Sequence, residues 1–377
     1  MFLSAPPFWV SLFLTFGLGL EAVLAQDDKI IPASLRPADG LTIQLYATGV
    51  EGARSMTRDV DGTVYVGTRD QGRVYALRDH DQDGRAEDVR VLVDGLQLPN
   101  GVAMVDGDLY IAEMSRLVRI SRQALKTQQK PAVEVVRDGF PAEIHHGWRA
   151  VKLGPDGWLY LALGVPCNSC EPRAPLEGRL VRIHPRTGAL EILAEGLRNS
   201  VGLAFEPGSG TLWLTDNGRD YLGDDLPPDE LNRYDGQPRH YGFPGCYGAA
   251  VPDPRWGSAK ACQSQTPPAW EFPAHVAPVG LLFYEGQSLP ESFRGQLLVA
   301  QHGSWNRSEP QGYRLVALRL EDGRVVSERV MVSGWLKDGH EILGRPVDLL
   351  MLPDGSVLVS DDFADVIYRI TGASSTP

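Results

Sequence analysis

The sequence predicts an all-β chain folded as a single six-bladed propeller, on three observations. A pattern of a Gly turn, a short apolar or aromatic strand, a polar break and a second strand recurs six times. The recurrences begin roughly 45 to 85 residues apart, the spacing of units that are each one small sheet around a common axis. Helical periodicity is nearly absent, Arg122 to Gln129 being one short candidate helix.

The recurrences follow in order. The first, DVDGTVYVGTRDQGRVYAL, starts at Asp59, and VDGDLYIAEMSRLVRI starts at Val105. GPDGWLYLALG runs from Gly154, with GRLVRIHPRTG from Gly178, and EPGSGTLWLTDNG runs from Glu206. FRGQLLVAQHG from Phe293 is closed by GYRLVALRLEDG, and LPDGSVLVSDDFADVIYRI starts at Leu352. Alternating apolar residues on either side of a Gly turn form antiparallel hairpins, since successive side chains point to opposite faces. The predicted organisation is a leader at 1–25, a polar lead-in at 26–40, one propeller over 41–372 and a short tail at 373–377. Two Pro- and Gly-rich insertions, Pro166–Pro175 and Tyr241–Pro278, are expected as loops over one face, where a rigid scaffold carries its function.

Composition narrows the function classes. The chain has 377 residues, 43% of them hydrophobic, and a net charge of −12. That balance argues against a nucleic-acid-binding surface, which needs a basic face, and suits neutral small molecules or cations as partners. Residues 1–25 read as an export signal: Phe8 to Leu20 is apolar, and Ala22-Val23-Leu24-Ala25 places small residues before Gln26. Its first residues lack Lys and Arg; the alternative is an uncleaved anchor, for which the apolar run is short. The mature chain is therefore expected in the periplasm or secreted, with no stable membrane insertion. Four cysteines fit such an oxidising compartment, and the simplest pairing is Cys167 with Cys170 and Cys246 with Cys262. Glu171 stands where a covalent haem site would need His.

The stretch from Glu195 to Tyr241 organises the chemistry. Arg198 and Asn199 precede a strand, TLWLTD, and a loop carrying Asp220, Asp224, Asp225, Asp229 and Glu230 follows it. A cation and an amide donor on one side and carboxylates on the other can hold an anionic cofactor beside a hard metal ion. The plain alternative is a solvated acidic loop. His145 and His146 precede the third recurrence, and a histidine at a channel mouth can act as a general base. The same two residues would also serve as solvent-facing or capping histidines. HGSWNR, ending at Arg307, and Arg345-Pro346-Val347-Asp348 put further cations near strand ends, as a compact polycarboxylate ligand requires. Separately, Asp79, Asp81 and Asp83 with Gly84 match the first half of a calcium loop that Asp88 could close, against a polar turn as the alternative.

Taken together, GLRNSVGLAF…TLWLTDNG…DELN, HHGWRAVKLGPDGWLYLALG, HGSWNR and GRPVDLLMLPDGSVLVSDD resemble the soluble quinoprotein glucose/sorbosone dehydrogenases, from about Leu41 to Ile370. The resemblance implies a six-bladed propeller that uses pyrroloquinoline quinone (PQQ) and Ca²⁺ to oxidise aldose sugars or sorbosone-like aldehydes to lactones or acids. It implies His146 as the base, with His145 the alternative because the spacing to Arg149 matches only after a shift. Arg198, Asn199, Arg307 and Arg345 would contact PQQ. Gly218 and Arg219 would offer backbone carbonyls to the bridging calcium, and Asp229 and Glu230 would hold a second, structural one. Electrons would leave to an external acceptor, a cytochrome or quinone. The family's Gly-Pro is Gly218-Arg219 here, and the acidic loop is longer. A calcium-dependent lactonase and a non-catalytic envelope-binding propeller are the competing readings, and the repeated arginines favour the dehydrogenase over both.

Overall fold

The computed structural model describes residues 33–127 and 129–373. The expected leader at 1–25 and most of the tail lie outside the described residues. Six sheets stand around a ring as six blades. The first comprises Ala53–Arg58, Val64–Thr68, Val74–Arg78 and Asp88–Val93 from inner to outer strand. The others start with inner strands Gly101–Val105, Val151–Leu153, Leu203–Phe205, Pro278–Phe283 and Pro346–Met351. The last blade is completed by Leu41–Thr48, which pairs antiparallel with Val366–Gly372. Both ends of the chain therefore close one sheet, which joins the sixth blade to the first.

Burial explains why the second strands read as mainly apolar runs, most of them ending in a polar residue, rather than as an alternation. Val64–Thr68, Leu159–Leu163, Leu212–Asp216, Leu297–Gln301 and Val357–Asp361 are buried at every position, because each is covered on both faces by neighbouring blades. The core accordingly lies between blades. Trp213, Leu231 and Phe272 of the fourth blade pack with Leu281, Val299 and Val316 of the fifth. Each such side chain contributes about 1.5–3 kcal/mol by leaving water.

The short helix forms over Arg122–Thr127, within the span expected. The second insertion, expected as loop, holds a two-stranded hairpin of Cys246–Tyr247 and Val251–Pro252, a short helix Ala259–Gln263, and a strand, Trp270–Phe272, which pairs with Asp229–Tyr234 as the outer strand of the fourth blade. That strand's three residues are too short for a period-2 pattern. The two disulfides join Cys167 to Cys170 and Cys246 to Cys262, as expected. In the Asp79 loop, Asp79, Asp81 and Asp83 gather with Glu87, their carboxylate oxygens within 4.8 Å of one another. Asp88, expected to close that loop, starts a strand opposite Arg78 instead.

A repeated device positions the mouth of the ring. Carboxylates at the ends of second strands accept backbone N–H groups from the loops that enter inner strands. Glu113 accepts Gln97 N–H, Asp216 accepts Arg198 and Asn199 N–H, and Asp361 accepts Arg345 N–H. The loops bearing the sequence motifs are thus held at one end of the channel.

Candidate active site

His146 sits in a turn with a left-handed backbone, φ 54°. Its Nδ1 lies 2.9 Å from the Val165 carbonyl oxygen, which can only accept, so Nδ1 carries the proton and Nε2 the lone pair. No described protein group bonds Nε2. Burial, reinforced by Arg198, lowers the pKa of the imidazole well below its ordinary value, so the ring is neutral near pH 7. Arg149 staples this turn from beneath, donating to the carbonyls of His146, Met114 and Pro141 at 2.7, 3.1 and 2.8 Å. Gly164 is required opposite, since a Cβ there would meet His146 Cβ at 2.8 Å. His145 is exposed and its ring leans on that of His146, centroids 4.1 Å apart. The structure thus separates the two histidines: His146 is oriented, and His145 shields one side of it.

Arg198 is buried and almost saturated by protein. Nε donates to Asn168 O at 2.8 Å, Nη1 to Asn217 O at 3.0 Å, and Nη2 to Asn168 Oδ1 at 2.8 Å and Asp220 Oδ2 at 3.3 Å. One N–H of the guanidinium's five is left for anything else. Asn168, lying between the paired cysteines, also donates to Asp220 O and accepts Asp220 N–H. Ser169 and Tyr247 donate to Asp253, which also pairs with Arg219 at 2.6 Å. Both insertions therefore converge on the 217–220 turn. Arg219's side chain is drawn to Asp253, which leaves its backbone as the part available to a ligand.

Behind Arg198 lie three buried carboxylates. Asp229 accepts N–H from Gly218 at 2.7 Å and from Ala277 at 2.8 Å; Glu230 accepts from Gly248 N at 2.7 Å and Asn232 Nδ2 at 2.9 Å. Burial pushes Asp216 up to about 6, Asp229 to about 7 and Glu230 to about 8, the last also through repulsion by Asp216. A small cavity of about 10 Å³ is lined by Arg198, Asp216, Asn217, Gly218, Glu230 and Tyr247. Asn217 Oδ1 is buried there without a hydrogen-bond partner. Asp216, Glu230 and the orphaned Asn217 oxygen thus put oxygen ligands, the kind a hard cation takes, around a hole about the size of one water, with Asp229 outside its lining.

On the other side of the mouth is a cationic cluster that sequence reasoning largely missed. Arg345 donates to Gly303 O at 3.0 Å and Tyr313 Oη at 3.1 Å, and contacts His302 Nδ1 at 3.4 Å. His302 Nε2 lies 2.8 Å from Asp362 Oδ1, and Asp362 Oδ2 pairs with Arg54 at 2.9 Å. Arg54 reaches Asn100 Oδ1 at 2.7 Å. Burial keeps His302 neutral, while against burial its N–H and Arg54 hold the Asp362 carboxyl well below the usual range. Arg69 stacks over Trp148, 4.8 Å from the ring centroid. Arg54 and Arg69, the latter at 3.8 Å, thus pair with a single carboxylate, and Arg345 adjoins it through His302. Arg69 Nε, Arg307 Nε and Trp148 Nε1 are buried donors without a hydrogen-bond partner, which suits an anionic ligand. His302 and Trp148 lie in motifs visible in sequence; nothing local distinguishes Arg54 or Arg69.

Arg307 is placed differently from Arg345. It bonds Asp224 O and, at 3.1 Å, Asp225 Oδ1, while Ser308 bonds the Asp224 carboxylate. The acidic loop is thereby latched to the fifth blade. The Asn199 side-chain amide has no described protein partner; only its backbone is engaged, its N–H by Asp216 and its carbonyl by Asn217 N–H.

A family model described as TrAA12-like matches residues 186–373. A Borreliella burgdorferi protein described as uncharacterised is 30% identical over 357 residues, 90% of this chain and 91% of that protein. Among solved structures, the calcium structure of a Trichoderma reesei carbohydrate-active enzyme of family AA12 superposes with a TM-score of 0.79 at 20% identity. That likeness covers 91% of this chain and 98% of the other. The holo form of the PQQ domain of Coprinopsis cinerea pyranose dehydrogenase gives 0.76 at 19% identity, covering 89% and 97%. PQQ-bound aldose sugar dehydrogenase from Streptomyces coelicolor gives 0.61 at 18%, covering 89% and 99%.

Proposed function

The chain belongs to the TrAA12-like family, and from that membership we propose that it is a PQQ- and Ca²⁺-dependent dehydrogenase of aldose sugars or sorbosone-like aldehydes. The observation that carries this reading is the pairing, at one mouth, of orphaned cationic and N–H donors with a buried carboxylate hole. The first suits a polycarboxylate quinone and the second a hard cation. Structural neighbours whose names carry PQQ, calcium or pyranose support it.

PQQ, when bound beside calcium, supplies the acceptor for the two electrons that leave an oxidised hydroxyl. The protein's own part is position and proton transfer. His146 takes the proton of the sugar's anomeric hydroxyl on Nε2, because its Nδ1–H is fixed on Val165 O and burial keeps the ring neutral. Arg345, Arg307 and the remaining N–H of Arg198, with the free Asn199 amide, would hold the cofactor's carboxylates and quinone oxygens. The carbonyls of Gly218 and Arg219 would face the bridging cation. Glu230 and Asp216, which line the hole, would neutralise a cation there, with Asp229 beside them. Electrons would pass on to an external acceptor. Two disulfides accord with an exported protein, and no described helix is long and apolar enough to cross a membrane.

The test is dye-linked oxidation of a panel of aldoses and sorbosone by metal-stripped protein, with PQQ and Ca²⁺ added singly and together. Turnover that requires both additions and is lost in His146→Ala is expected. No turnover on any sugar, with no change in PQQ absorbance on mixing, would sink the reading.

A further inference from the structure

Three aromatic side chains are exposed among the described residues, and all three border the site. Tyr221 and Trp305 are each 67% exposed and Phe363 is 54% exposed. Tyr221 follows Asp220, which bonds Asn168 and Arg198. Trp305 follows Ser304, whose carbonyl accepts Arg345. Phe363 follows Asp362, the partner of Arg54 and His302. Tyr221 and Trp305 meet edge to face, centroids 5.9 Å apart at 87°. Their loops are latched together by the Arg307 and Ser308 bonds to Asp224. Tyr221 holds its ring outward from a left-handed backbone, φ 68°, a conformation unfavourable to a bulky residue. Exposed rings in mutual contact beside the candidate site mark a binding surface.

We propose that Tyr221 and Trp305 form a subsite for a second pyranose unit, so that the substrate is an oligosaccharide oxidised at its end rather than a free monosaccharide. The inference rests on the sugar-oxidation reading above. A pyranose ring offers an apolar C–H face and a rim of hydroxyl donors. The rings supply the first contact, and the carboxylates beside them supply acceptors, Asp225 being 87% exposed at its side chain. A protein partner would instead need a broader dry patch, and here an acidic loop interrupts the apolar rim.

The experiment has two arms. In the first, metal-stripped protein without PQQ is titrated with cello- and malto-oligosaccharides of one to four units by calorimetry. Binding that strengthens from one to three units by about tenfold is expected, lost in Trp305→Ala and weakened in Tyr221→Phe. In the second, kcat/KM with PQQ and Ca²⁺ rises with chain length in the wild type. In Trp305→Ala it stays flat, with monosaccharide kcat unchanged. Binding in the first arm without turnover in the second would leave the subsite standing and remove the oxidation reading. No length dependence in either arm overturns the subsite, as does length dependence that survives Trp305→Ala. If Trp305→Ala slows only reoxidation by a protein acceptor and not by a dye, with length preference intact, the rim is an acceptor dock and the proposal is wrong.

Discussion

Asn168 grips Arg198 at two points, its backbone carbonyl 2.8 Å from Nε and its side-chain Oδ1 2.8 Å from Nη2. The arginine was expected from sequence to face a ligand directly. In the folded chain most of its donors are spent on protein, and its value to the site is a fixed positive charge between His146 and the carboxylate hole.

Asn168→Ala should therefore disturb the site more than the fold. Losing a hydrogen bond to a charged group costs about 1.5–3 kcal/mol. We expect PQQ affinity of the metal-loaded apo-protein, followed by absorbance, to fall at least about tenfold. Asn168→Asp keeps the Oδ acceptor and should recover part of that loss. Unchanged affinity in Asn168→Ala would show that the clamp does not matter to the ligand.

His146 should set the acid limb of the pH profile. Its folded pKa lies below the ordinary histidine value near 6.5, so the base form persists as pH falls through 6.5 and activity declines only below it. A limb in kcat/KM centred at or above 6.5 would assign the base elsewhere. His145→Ala should retain most turnover, whereas His146→Ala should abolish it.

Asp216, Asp229 and Glu230 predict an inverted stability profile without cation. Their folded pKa values of about 6, 7 and 8 lie above those of free carboxyls. Through these three groups the folded state binds more protons than the unfolded one between about pH 4 and pH 8, so their contribution to stability falls as pH rises. In chelator, Asp229→Asn with Glu230→Gln should raise Tm more at pH 8 than at pH 5, because the neutral amides spare the fold the deprotonation of buried carboxyls. Calcium should raise it more at pH 8, where the carboxylates it would pair are ionised. Equal calcium shifts at both pH values would contradict a cation at these residues.

Asp362 should be a stability residue as well as a site residue. Its removal strands Arg54, a buried cation 5% exposed, and such a break costs about 3–5 kcal/mol. Asp235→Ala, which removes an exposed partner of Arg239, should cost less than about 1 kcal/mol. Denaturant unfolding of both variants measures the difference, and similar values would mean the Asp362 pair is solvent-screened.

The blade pattern, the two local disulfides and the His145–Arg149, Glu195–Tyr241 and HGSWNR stretches were legible in the chain. Each is written in neighbouring residues: period-2 alternation, a Gly turn, or cysteines close in sequence. Tertiary structure alone decided what those stretches meet. Arg54 and Asp362 are 308 residues apart, and ring closure brings the first and sixth blades together. Asn168 and Arg198 meet only because an insertion folds back over the channel. Trp270–Phe272 becomes a strand because the edge of the fourth blade is there to pair it, and Glu87 replaces Asp88 because a turn, rather than spacing, aims its carboxylate. Local patterning sets which elements form, since it depends on consecutive side chains. Closure of the ring sets which charges share a low-dielectric mouth, and the chemistry follows from that company.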